Sequence, residues 1–154
     1  MVRTVRLDRL ALRSLSERGR SDVKFSLVST GIVVLAFVAV AYGGTFLLRV
    51  ASGREPTNEL QRSYFRAGHG HAAVFLILGL LLQVLLGRPE VPDWSSSLAT
   101  GVLFAAILMP AGFFLSVAGR DPQRPNALRI LIWLGAASLL VGLVGAGVGL
   151  IVAG

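Results

Sequence analysis

Four long apolar stretches, separated by short polar segments, set the plan of this chain. Residues 25–48, 67–87, 96–118 and 127–152 hold almost no charge. A helix rises about 1.5 Å per residue, so about 20 apolar residues cross the roughly 30 Å hydrocarbon core of a bilayer. Each stretch meets that length. A backbone in lipid must close its own hydrogen bonds, which helices do and isolated strands do not. The pattern therefore predicts an all-α, integral membrane four-helix bundle over residues 25–154, behind a basic tail over residues 1–24. With four spans, both termini lie on one side of the membrane.

The segments between the spans predict where the helices start and stop. In the tail, Leu7, Leu10, Ala11 and Leu15 recur at helical spacing among arginines, a pattern open to an amphipathic surface helix or to a disordered tail. Gly43-Gly44, near the end of the first span, either loosens that helix or lets a neighbour approach closely, and close approach is favoured. Asn58 with Gln61 three residues later forms a capping-box pattern, so the second helix is expected to begin near Asn58, two turns before the apolar run. In that preface Glu59 and Arg62 are spaced to pair, and Tyr64 and Phe65 would sit at the headgroup level. Asp93 or Ser95 is the expected cap of the third helix, and Pro110 is expected to kink it. The fourth span carries Gly135, Ser138, Gly142, Gly145 and Gly149 at spacings of 3, 4, 3 and 4. Those five small residues fall on one face and predict a packing seam where backbones approach closely. Its partner could be the first or third helix, or the fourth helix of a second copy.

Composition narrows the function classes. The chain has 154 residues, 54% of them hydrophobic, and no cysteine. Disulfides, thiolate metal sites and iron–sulfur clusters are therefore excluded. The net charge is +7, and of 15 basic residues only Lys24 is a lysine. The arginines cluster in the tail and the loops, where they meet lipid phosphate and set topology, and no nucleic-acid-binding module appears. The tail, second loop and C-terminus carry eight basic residues against seven for the first and third loops with their flanks, so charge bias does not choose an orientation. No phosphate-binding glycine loop, nucleophile elbow or intramembrane carboxylate pair is present, so the pattern points away from hydrolase, kinase and nucleotide-binding chemistry.

The candidate chemistry sits at the start of the second span, in Gly68-His69-Gly70-His71, which holds the only two histidines. Residues two apart on a helix differ by about 200° in azimuth, so the two imidazoles do not ligate one metal together. The small and polar residues of this helix (Gly68, Ala72, Ala73, Gly79, Gln83) define an inward direction about 50° from His69 and about 110° from His71. That makes His69 the first candidate for a metal or haem ligand and His71 the second. The competing reading is an interfacial histidine bonded to nearby backbone or hydroxyls. At that depth Tyr42, Thr45 and Ser116 are the expected neighbours, and no third histidine, cysteine or carboxylate joins them. A haem or metal held by two histidines would need a second copy of the chain. Towards the other face, Gln83, Ser29, Thr30 and Thr100 are expected to form a small hydrogen-bonded layer.

The segment Phe65-Arg66-Ala67-Gly68-His69-x-His71-Ala72, with residues 107–116 in the third helix, resembles a family of small bacterial four-span membrane proteins. The resemblance runs from about Phe25 to the C-terminus. It implies the fold and a bacterial plasma membrane, but no activity. His-x-His in one membrane helix is also similar, over three residues, to the pair in haem–copper oxidase catalytic subunits, where two histidines serve two haems. The other histidines of that family are missing, so its activity does not carry over. Three readings follow: a non-enzymatic bundle that packs in the bilayer with itself or a larger membrane complex; a haem- or metal-binding protein using His69 and His71; and a small transporter subunit, disfavoured because the cores of the spans are uncharged.

Overall fold

The computed structural model describes the backbone of residues 2–154 and the side chains of residues 27–154. Four helices follow one another: α1 (Val2–Ala51), α2 (Glu59–Leu86), α3 (Asp93–Ser116) and α4 (Ile130–Ala153), the last preceded by a 3-10 turn, Ala127–Arg129. No strand occurs among the described residues. All four contain a segment long and apolar enough to cross a membrane. This is an all-α, multi-pass four-helix membrane bundle. α1 is helical throughout its range; the side chains of the tail, on which an amphipathic surface helix would depend, lie outside the described residues. The chain divides within α1 into two units, residues 1–35 and 36–154, and both histidines and the packing of α2, α3 and α4 belong to the second.

α3 and α4 are joined backbone to backbone. A methyl group built at Gly101 of α3 would lie 2.6 Å from the Ser138 carbonyl oxygen of α4, and one at Gly142 would lie 2.9 Å from the Val102 nitrogen. Gly135 is closed off by Met109, Gly145 by Leu98 and Gly149 by Ser95. So α3 occupies the whole small face of α4, at all five positions. Two hydroxyls cross the seam: Ser138 Oγ donates to the Gly101 carbonyl at 2.8 Å, and Ser95 Oγ donates to the Gly145 carbonyl at 3.0 Å. Ser95 is fully buried. It does not cap α3, whose N-cap is Pro92 without a side-chain bond, and Asp93 is the first helical residue. Proline at the cap presets the backbone, and the Ser95 hydroxyl is free to serve the seam.

α2 begins as the Asn58–Gln61 spacing predicts. Asn58 Oδ1 accepts from the Gln61 backbone nitrogen at 2.9 Å, and Gln61 Oε1 accepts from the Asn58 backbone nitrogen at 3.2 Å. The two amides also turn their donors outward. Gln61 Nε2 donates to the carbonyls of Val117 and Gly119 at 3.1 and 3.0 Å, and Asn58 Nδ2 donates to Asp121 Oδ1 and the Pro122 carbonyl at 2.9 and 2.8 Å. One capping box thus closes the start of α2 and the chain leaving α3. Gly119, at φ +126°, makes the backbone turn that presents those carbonyls. Asn126 continues the closure: its nitrogen and Nδ2 donate to the carbonyls of Ser116 and Leu115, and its Oδ1 accepts from Leu128 to start the 3-10 turn.

Two apolar clusters hold the ends of the bundle. Leu82, Leu86, Val91, Ala99, Val102 and Ala146 pack at the end of the second loop. Val50, Phe65 and Val117 pack at the opposite end, with Phe46, Leu47 and Phe114 against them. Phe65 is therefore a core residue and not part of an interfacial belt. Its ring lies between Phe46 of α1 and Phe114 of α3, 5.3 Å from each. Glu59 and Arg62 do not pair; among the described residues the one ion pair is Arg49–Glu55 at 3.9 Å.

The glycine seam and the capping box are each open to test by substitution. Overpacking a close contact costs typically about 1–3 kcal/mol, so Gly142→Leu and Gly145→Leu are each expected to lower stability by that amount or more in a denaturant titration of the detergent-purified protein. Gln61→Leu, which keeps the volume but strands two carbonyls, is expected to cost about 1–3 kcal/mol. Changes under about 0.5 kcal/mol in the glycine variants would show that the seam does not hold the bundle.

Candidate functional site

The buried residues of α2 are Gln61, Phe65, Gly68, Phe75, Leu76, Gly79, Leu82 and Leu86. On a helical wheel their mean direction lies between the two histidines, about 85° from His69 and about 75° from His71. Each histidine is therefore half-buried on its own flank of the packed stripe. The small residues alone put the inward direction closer to His69. The difference comes from Phe75, Leu82 and Leu86, large buried side chains that pull the mean buried direction towards His71.

His69 looks at α1. A methyl group built at Gly43 would lie 3.6 Å from His69 Nδ1, and one at Gly44 would lie 3.7 and 3.8 Å from Cε1 and Nε2. The imidazole thus rests on the two-glycine step. The close neighbour there is a side chain, not a helix backbone, and these are ordinary van der Waals separations. Tyr42 and Thr45, expected beside His69, are both exposed, and the Thr45 hydroxyl donates to the Tyr42 carbonyl at 2.7 Å. His69 forms no hydrogen bond among the described residues, and no enclosed polar side-chain atom there lacks a partner. Its ring nitrogens are therefore open to the surroundings.

His71 looks at α3. Its Nδ1 lies 2.7 Å from the Ala67 carbonyl oxygen, one turn earlier on the same helix. A carbonyl only accepts, so Nδ1 carries a proton, and in the neutral ring the lone pair is on Nε2. The ring packs 5.1 Å from Phe113 of α3 and 5.4 Å from Phe75. Phe113 in turn meets Tyr64 edge-on at 5.6 Å. Ser116, the expected polar neighbour from α3, donates to its own helix at Phe113. Thr100 likewise donates to Ser97 and is exposed.

The site thus consists of two separate single-histidine environments. Among the described residues, no group of three or more His, Cys, Asp or Glu could hold a metal ion. The i−4 relation of Ala67 to His71 is a signal in the sequence for the Nδ1–H bond. The reach of Gln61 to the third loop has no such signal, because it depends on how α3 ends.

No protein family, curated protein or solved structure matches this chain.

The contrast between glycine environments is open to test. Gly44→Ala is expected to be neutral, or to stabilise by up to about 1 kcal/mol through helix propensity. Gly101→Ala is expected to destabilise by about 1–3 kcal/mol, since its methyl meets the Ser138 carbonyl. Equal effects in the same unfolding assay would contradict the assignment of His69 to a loosely filled slot.

Proposed function

We propose that the protein is a non-enzymatic component of its membrane, a bundle that acts by packing with a second copy or within a larger membrane complex. One observation carries this reading: how the polar groups of the spans are used. The hydroxyls of Thr45, Ser97, Thr100 and Ser116 each donate to a carbonyl of their own helix, and those of Ser95 and Ser138 cross the α3–α4 seam. These hydroxyl donors are committed to carbonyls of their own helix or of the facing helix rather than presented to a substrate. Blue-native electrophoresis of native membranes tests this reading. The expected result is a discrete assembly well above the 16.3 kDa chain; a monomer alone would contradict it.

The bonding of His71 favours a second reading, as a haem- or metal-binding membrane protein. Histidines that ligate metals almost always donate their other ring N–H to a carboxylate or backbone carbonyl, which fixes the tautomer and raises basicity. His71 has that arrangement and His69 does not, which reverses the order that the small-residue wheel suggests. A single chain offers one such nitrogen, so a second axial ligand would come from a second copy or a partner. This reading expects a Soret band, or stoichiometric metal, in protein purified from its native membrane. His71→Ala would abolish it and His69→Ala would leave most of it. Absence of both signals in the wild type would overturn it.

A further inference from the structure

At the end of the bundle that carries the first and third loops, the last turn of α1 and the first two turns of α2 flank a half-open cavity of about 520 Å³. Its lining divides by chemistry. Leu47 and Val50 of α1 give an apolar floor, and Glu59, Arg62, Ser63 and Arg66 of α2 give a polar wall. Arg62 and Arg66 are one turn apart on one face of α2. Their ε nitrogens are already held: Arg62 Nε donates to Thr57 Oγ1 at 3.4 Å, and Arg66 Nε donates to the Arg62 carbonyl at 3.3 Å. Neither guanidinium meets a carboxylate among the described residues, and Glu59 meets no cation there. Three formal charges thus line one cavity without pairing. Two are the planar forks that suit a phosphate, and the third is a carboxylate one turn away.

That pattern is the complement of a zwitterion. A free phosphate ion would satisfy the arginines but stand beside Glu59, a like charge, and would leave the apolar floor uncovered. A phosphodiester carrying a primary ammonium two carbons away satisfies all three. The cavity lies where α2 enters the apolar part of the membrane, so the apolar end of such a molecule can continue over Leu47 into lipid. We propose that this cavity is a binding site for an aminophospholipid headgroup, with the phosphodiester on Arg62 and Arg66 and the ammonium on Glu59. This proposal is independent of the histidines, which lie deeper on α2 and do not line the cavity.

Native mass spectrometry of the protein, exchanged into equal mixtures of ethanolamine, choline and glycerol phospholipids, tests the proposal. One retained ethanolamine lipid per chain is expected, favoured several-fold over the choline lipid, whose quaternary ammonium cannot donate to a carboxylate. Losing charge-assisted bonds is worth about tenfold or more, so Arg62→Gln with Arg66→Gln should lower retention of every phospholipid by about that factor. Arg120→Gln with Arg124→Gln, outside the cavity, should not. Glu59→Gln should erase the preference for ethanolamine over choline while keeping the phosphodiester. Equal retention of ethanolamine and choline lipids by the wild type would overturn the proposal. So would unchanged retention in the double arginine variant, or displacement of the lipid by millimolar inorganic phosphate. If the double variant does not fold, the wild-type mixture and Glu59→Gln still decide.

Discussion

The bundle depends on the lack of a side chain at the glycines where α3 and α4 meet. In lipid no hydrophobic drive distinguishes helix from tail, so association rests on close packing and on hydrogen bonds that cross between helices. Gly101, Gly135, Gly142 and Gly145 bring the two backbones together, and the hydroxyls of Ser95 and Ser138 bond across the seam they create. Once α3 is fixed on α4, its other side offers Leu103, Phe113 and Phe114 to Gly79 and Gly68 of α2. The amide pair Asn58–Gln61 then locks the start of α2 to the end of α3. The placement of each histidine follows from that docking.

Much of this architecture is legible in the residues. Apolar length alone defines four spans, and the capping box at Asn58 and the small face of helix four are written in local spacing. What is not legible is which face meets which neighbour. The seam could equally have sought helix one, helix three or another copy, because a row of glycines states how close a partner comes and not which partner comes. Ser95 illustrates the same point: its position before an apolar run reads as a cap, whereas its hydroxyl is drawn to a carbonyl 50 residues away. Phe65 reads as interfacial by its depth, yet it is buried because α1 and α3 both turn aromatic rings towards it.

The histidines obey the same logic. The sequence separates them, since two residues along a helix point nearly opposite ways. It does not assign them, because the inward direction is set by bulky residues as much as by small ones. The outcome is one imidazole resting on a glycine step with its nitrogens open, and another whose Nδ1–H is committed to a carbonyl and whose ring is set against phenylalanines. These are chemically different groups. The first is accessible without being oriented; the second is oriented by its Nδ1–H bond.

The two histidines therefore occupy two sites, with His71 fixed as the Nδ1–H tautomer by the Ala67 carbonyl. The most direct measurement is a nitrogen-15 NMR spectrum of histidine-labelled protein in lipid nanodiscs, since the chain holds only these two imidazoles. Two independent sets of ring signals are expected. One, removed by His71→Ala, should show protonated Nδ1 and unprotonated Nε2, and the other should not shift in that variant. Finding His71 protonated at Nε2 alone, or the two rings shifting together, would contradict this assignment.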